Sequence, residues 1–210
     1  MTHSVRLVSI TPDAEELIAY CARVSNPTNQ NNHNTAPRLL KYLIKHRHWS
    51  PFEMANMVVE INTTRAVAAQ ILRHRSFSFQ EFSQRYADVE HLGNPVRPQL
   101  RLQDDKNRQN SIEQATEDLF LAKEIDCLFK HSQDVYRQLI LAGVAKECAR
   151  DVLPMAIPSR LYMNGTLRSW LHYIDVRADP GTQKEHRMIA EGVKGLVEEH
   201  CPSVYEAMWT

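Results

Sequence analysis

Only six glycines occur in 210 residues, and none falls in a G-x-G-x-x-G or P-loop pattern. This removes the nucleotide-binding folds that cradle phosphate on a glycine-rich turn at a helix N-terminus. If such a chain holds a phosphorylated ligand, side-chain cations must do the holding.

The cations are concentrated in one segment, Arg73-His74-Arg75-Ser76-Phe77-Ser78-Phe79-Gln80-Glu81-Phe82-Ser83-Gln84-Arg85-Tyr86. Arg-His-Arg, seven residues, then Ser places three cationic side chains near an acid, a hydroxyl and a fourth cation. Cations at a helix C-terminus are stabilised by the macrodipole, by about 0.3–1 kcal/mol, so a solvated helix end is the plain alternative. A solvated end has no use for Phe77, Phe79 and Phe82. Those rings imply a water-poor site, where charge-assisted Arg–phosphate contacts are strongest.

Periodicity predicts a strand over Val5–Ile10, with Val5, Leu7 and Ser9 on one face, and a helix over Ala14–Val24 opened by Thr11-Pro12. An Asn-rich loop follows at Asn26–Asn34, then a helix over Leu39–His46 and a turn at Trp49–Phe52. Met54–Ile61 alternates as a strand, with Ala55, Met57, Val59 and Ile61 on one side. Thr63 or Thr64 should cap a helix running to about Arg75, with Ala66, Ala69 and Leu72 in one stripe and Gln70, Arg73 and His74 sharing one face. Asp88–Asn110 reads as a polar loop, Ile112–Leu141 as a long helical stretch stopped by Gly143, and Val144–Leu153 as a short helix before Pro154. A strand at Ser159–Asn164 and helices at Thr166–Val176 and Lys184–Glu199, the last ended by Cys201-Pro202, complete the chain. The expected fold class is α+β, helices around a mainly antiparallel sheet, as a single domain over 1–210.

Three further cations have both plain and functional readings. Arg150 could pair with Asp151 or Glu147, and Arg177 lies between Asp175 and Asp179, where a surface ion pair contributes about 0–1 kcal/mol. Arg168 and His172 are one helical turn apart, a solvated-face pattern that also permits a shared ligand. Lys plus Arg equals Asp plus Glu at 25 each, which argues against general nucleic-acid binding. A stacking platform for single strands and a purely structural helical oligomer are the rival readings. The first conflicts with the interspersed acids, and the second leaves four Arg-bearing motifs unexplained. The four cysteines match no disulfide or zinc spacing and there is no H-E-x-x-H, so no metal centre is expected. With no signal peptide or membrane-length apolar run, the expected location is cytoplasmic.

The motifs together resemble the flavin-dependent thymidylate synthase family. Besides the Arg73–Tyr86 segment, they are His48-Trp49-Ser50-Pro51-Phe52-Glu53, Ala149-Arg150-Asp151-Val152-Leu153-Pro154, Gly165-Thr166-Leu167-Arg168-Ser169-Trp170, and Val176-Arg177-Ala178-Asp179 before Gln183-Lys184-Glu185. The resemblance covers most of the chain; Asp88–Asn110 has no match. It implies FAD as cofactor, dUMP as substrate, methylenetetrahydrofolate as carbon donor and NADPH as reductant, in a homotetramer whose active sites are shared between subunits. By position it assigns Ser50, Arg73, His74, Arg75, Glu81, Thr166, Leu167, Arg168 and His172 to FAD, with His48 nearby. To dUMP it assigns Gln70, Ile71, Leu72, Arg73, Glu81, Phe82, Ser83, Gln84, Arg85, Arg150 and Arg177. Arg177 matches the arginine that favours deprotonation of the uracil N3, in place of a cysteine nucleophile. Ser83, which lacks an adjacent base and orienting acid, is assigned to binding rather than attack.

Overall fold

The computed structural model describes residues 3–115 and 119–210. Its strands are β1 (Ser4–Ile10), β2 (Asn56–Thr64), β3 (Ser78–Glu81), β4 (Arg101–Gln103), β5 (Ser111–Ala115) and β6 (Pro158–Thr166). Its helices are α1 (Ala14–Ala22), α2 (Ala36–Lys45), α3 (Arg65–Ile71), α4 (Leu119–Leu141), α5 (Lys146–Ala149), α6 (Leu167–Arg177), α7 (Lys184–His200) and α8 (Pro202–Trp209). The main sheet runs β1-β2-β6-β3 with every pairing antiparallel, and β4-β5 form a separate hairpin. This is the expected α+β arrangement.

The two central strands explain the packing. Met57, Val59 and Ile61 of β2 and Leu161 and Met163 of β6 are fully buried on one face. They meet Trp170, Leu171 and Ile174 of α6 and Ile189, Ala190 and Val193 of α7 in one hydrophobic cluster. At the opposite face Glu60 gathers Arg6, Asn62 and Tyr162 at 2.8–3.2 Å. α7 comes so close to β1 that a Cβ on Gly192 would lie 2.7 Å from Val5 Cγ2.

Each central strand runs directly into a helix. Thr64 sits at the α3 N-cap without a capping side-chain bond; the N–H groups of Arg65 and Ala66 instead reach the carbonyls of Ile157 (2.9 Å) and Met155 (3.0 Å). At α6 the Thr166 hydroxyl does cap, accepting from the Ser169 N–H at 3.2 Å. These junctions carry α3 and α6 back over the core face.

Several expectations are corrected. In β1 the register shifts between Leu7 and Ser9, so Val5, Leu7 and Ile10 reach the core and Ser9 is exposed. A bulge adds one residue and reverses the parity beyond it. α1 is capped at Asp13, in the left-handed region at φ 47°, rather than at Thr11. Ser111–Ala115 is a strand paired with β4 and takes up the start of the Ile112–Leu141 stretch expected to be helical, of which positions 116–118 lie outside the described residues. The expected loop at Asp88–Asn110 therefore holds β4 and a short 3-10 turn at Val89–Leu92. Val144–Leu153 holds α5 and a 3-10 turn, and Cys201-Pro202 opens α8, with Pro at its first turn, rather than only closing α7. Gly143 stops α4 as expected. It has φ 80°, its N–H reaches the Ile140 carbonyl at 3.0 Å, and that of Val144 reaches Leu139 at 2.9 Å, the Schellman pattern.

Candidate active site

The Arg-His-Arg segment is not helical. α3 ends at Ile71, and Arg73, His74 and Arg75 lie in the turn that leads to β3. Val67, Ala68 and Ile71 face the core, in place of the Ala66, Ala69 and Leu72 stripe. The next apolar anchor, Phe77, decides where the chain goes. Its ring packs edge-on to Trp170 at 4.7 Å, and it occupies the space a Cβ on Gly165 would need, only 2.5 Å from Phe77 Cδ1. The chain must leave the helix to seat Phe77 and then pair β3 with β6. Arg73 and Arg75 are left exposed, and His74 is half-buried.

His74 meets Arg177 from the end of α6: Arg177 Nε donates to His74 Nε2 at 2.9 Å. The Arg177 side chain is thus engaged by His74, and among the described residues it forms no ion pair with Asp175 or Asp179. The His74 ring stands edge-on to Tyr173 at 5.0 Å and lies 6.1 Å from His186. Tyr173 and His186 are fully buried and hydrogen-bonded at 3.1 Å. Gln70 joins them, with its Oε1 3.4 Å from His186 Nδ1 and its Nε2 2.6 Å from Gln183 Oε1. Gln70, His74 and Arg177 thus converge although up to 107 positions separate them in the chain (177 − 70).

Arg168 and His172 line a cavity of about 500 Å³ with Trp49, Glu53, Ser76, Ser169, Leu171, Asp175 and Met208. Arg168 is paired there with Glu53. Ser83 and Arg85 line a different depression of about 310 Å³ with Tyr86, Ala145, Lys146 and Glu147, where Arg85 Nε donates to Glu147 at 3.1 Å. Arg150 stands half-exposed 4.0 Å from Asp151. Glu81 is held within the chain, by Arg65 at 2.6 Å and the Ser159 hydroxyl at 2.7 Å. Ile71 and Leu167 have fully buried side chains in the core, so only their backbones could touch a ligand. Thr166 is the helix cap, Leu72 and Phe82 are half-buried, Ser50 is exposed, and exposed His48 stacks near Tyr42 and His46 instead of lining the cavity. Gln84 is buried, and its Nε2 has no hydrogen-bond partner among the described residues.

The electrostatics keep both histidines neutral. Burial, then Arg177, His172 and Arg73, depress His74 to about 4. Burial, then Arg177, His74 and Arg73, depress His186 to about 3. Burial opposes ionisation of Glu185, but its hydrogen bonds to Arg101 and Gln183 win, and the carboxyl is held at about 2. A histidine depressed on folding takes up its proton in the unfolded chain first, so its contribution is complete above about 6.5 and is lost as pH falls toward the folded value. The Glu185 contribution is likewise present above 4.5 and is lost toward 2. All three act in one direction. Tm should therefore fall steadily as pH is lowered from about 6.5 to about 4; a flat Tm across that window in calorimetry would contradict buried, neutral histidines.

A family profile described as "Thymidylate synthase complementing protein" matches residues 6–203. The chain is 49% identical to the probable flavin-dependent thymidylate synthase of Paramecium bursaria Chlorella virus 1, over 98% of each chain. The chain belongs to the flavin-dependent thymidylate synthase family. The flavin-dependent thymidylate synthase of Synechocystis sp. is 47% identical over 92% of this chain and 89% of its own. The fold superposes with a TM-score of 0.85 on the UMP/dUMP methylase PolB of Streptomyces cacaoi, solved with 5-Br dUMP and with 5-Br UMP, at 26% identity and over 98% of this chain.

Within the thymidylate synthase frame, sequence reasoning missed Trp49, Ser76 and Met208 in the cavity and the Tyr173–His186 pair behind His74. Tyr173 reads locally as one more apolar residue of α6, and His186 as an ordinary residue of an amphipathic helix. The only available signal was that His186 follows Gln183-Lys184-Glu185, a quoted motif whose partners lie far away in sequence.

Proposed function

We propose that this chain catalyses the reductive methylation of dUMP to dTMP, with FAD as cofactor. Methylenetetrahydrofolate is the carbon donor and NADPH the reductant, giving tetrahydrofolate and NADP as the other products. The enzyme is a cytoplasmic, single-domain (1–210) homotetramer. Shared active sites account for the separation of the Arg168–His172 cavity from the Ser83–Arg85 depression within one chain. Each is open, and neither alone has the groups to hold both ligands.

The observation that carries the reading is the state of Arg177. Its Nε is committed to His74, which leaves the two terminal nitrogens for a ligand. A deprotonated uracil N3 between two carbonyl oxygens matches that planar fork. Lowering the N3 pKa by ~2 units needs about 3 kcal/mol, within reach of one desolvated guanidinium contact. The resulting electron-rich ring attacks a carbon electrophile through C5 without a thiolate adduct. Cys201, the buried cysteine, is pushed up to about 12 by burial and then by Glu15, so it is a thiol at neutral pH. Cys21, Cys127 and Cys148 line neither of the two depressions.

The donor set suits a flavin dinucleotide. Arg168, His172 and Ser76 supply charge and hydrogen bonds, and Trp49, Leu171 and Met208 supply apolar surface. When bound there, FAD supplies the hydride that completes reduction of the one-carbon unit to a methyl group. Arg73 and Arg75 are exposed and would hold phosphate. Gln84 Nε2 supports the dUMP assignment, because a buried donor left unmade costs about 1–3 kcal/mol and a ligand acceptor would relieve it.

The test is a visible absorption spectrum of the protein saturated with FAD and desalted, followed by dTMP formation from dUMP, methylenetetrahydrofolate and NADPH. The expected result is near-stoichiometric retained flavin and dUMP-dependent dTMP. A colourless protein would overturn the reading and return attention to single-stranded nucleic acid, whose binding would show a steep salt dependence.

A further inference from the structure

A directional hydrogen-bond chain passes through Gln70. Glu185 is gripped by both terminal nitrogens of Arg101, at 2.6 and 2.9 Å, in a pair that is largely shielded from solvent. A carboxylate only accepts, so Gln183 must turn its amide nitrogen to it, at 2.9 Å. The Gln183 carbonyl then faces Gln70, which must donate through Nε2, at 2.6 Å. The Gln70 carbonyl is left facing His186 Nδ1 at 3.4 Å, the longest link, so Nδ1 carries the ring proton. His186 Nε2 is then bare and accepts from the Tyr173 hydroxyl at 3.1 Å. One anion at one end thus dictates two amide orientations, one tautomer and one hydroxyl direction.

We infer that this chain positions Gln70 for the nucleotide, and that Arg101, on the hairpin of the otherwise unassigned polar stretch, is part of the binding apparatus. The inference rests on the reading that Gln70 lines the dUMP site. An amide oxygen and nitrogen are nearly the same size, so an unconstrained glutamine presents either one. Here the Gln70 carbonyl is spoken for, and the second N–H of Nε2 is what remains for a ligand acceptor. Tyr173 and His186 anchor the chain in the core, and Glu185 polarises it from the other end. Arg101, Glu185, Gln183, His186 and Tyr173 are positioning residues: none needs to touch the substrate.

The test is calorimetric titration of dUMP into the flavin-loaded, full-length protein, which does not depend on turnover. Glu185→Gln replaces an acceptor-only end with one that can also donate, so both glutamines can flip. Its dUMP affinity should fall about five- to tenfold, the loss of roughly one hydrogen bond, with flavin content unchanged. In a Gln70→Ala background the same substitution should have no further effect. A merely structural role for Glu185 would weaken binding equally in both backgrounds and would overturn the inference. Tyr173→Phe leaves the ion pair intact and carries the same test if Glu185→Gln fails to fold, with an expected loss of about threefold. Tight binding by wild type together with unchanged affinity in the foldable variant overturns the inference alone. Absence of dUMP binding by wild type overturns the thymidylate-synthase reading, and the inference with it.

Discussion

Arg177→Ala should reduce dTMP formation by about a hundredfold or more, while the protein keeps its flavin. The magnitude follows from the ~3 kcal/mol that the guanidinium is asked to supply in stabilising the N3 anion, since each 1.36 kcal/mol is tenfold in rate. Flavin retention should survive because the cavity around Arg168, His172 and Trp49 does not include Arg177. The same substitution removes the donor to His74 Nε2 and one of the charges that depress that histidine. The His74 ring should then titrate higher than in the wild type, a change visible by NMR. Arg177→Lys should rescue little, because an ammonium cannot reproduce a planar fork that also holds His74. Turnover of Arg177→Ala within a fewfold of wild type would remove this residue from the mechanism.

Trp170→Ala should cost about 3–5 kcal/mol of stability, the upper range for a buried aromatic truncation. The indole is fully buried, and its Nε1 donates to the Met57 carbonyl at 2.9 Å, tying α6 to the central strand β2. Its ring packs against Phe77 at 4.7 Å and Tyr173 at 5.7 Å. Loss of the ring removes the surface on which Phe77 is seated, and Phe77 is what draws the Arg-His-Arg turn out of α3. Stability and ligand binding should therefore fall together. Urea unfolding monitored by circular dichroism, paired with flavin content, measures both. A loss of less than about 1 kcal/mol would mean that the site closes over the cavity and that Phe77 does not depend on this contact.

The elements legible in the sequence are those whose signal is local. The alternation Ala55, Met57, Val59, Ile61 marked one face of the strand, and all four are fully buried, the last three within β2. Gly143 marked the end of α4 because a positive φ is easy only for glycine. The helical periods of α6 and α7 appeared within a residue of their observed bounds. The motif set marked the family, because a rare combination of side chains in a fixed order is a property of the chain alone.

What failed depended on partners outside the element itself. β3, β4 and β5 are short strands made by pairing, and no periodicity within them distinguishes a strand from a turn. The β1 bulge is set by its register against β2. α3 stops at Ile71 because Phe77 must reach Gly165, which lies 88 positions later (165 − 77).

The candidate site divides the same way. The residue types were readable in the sequence, including the cations that replace a glycine-rich cradle. Their states were not. Arg177, flanked by two acids, had a surface ion pair as its plain alternative to a ligand role, and the fold instead brings His74 to its Nε. Glu81 stood among ligand-binding candidates, and the fold engages it with Arg65 and Ser159. Sequence by itself determined which charges and rings this protein owns, since those are covalent facts. The tertiary structure decided which of them satisfy one another and which remain for a ligand, because burial and hydrogen bonding depend on distances that only the folded chain creates.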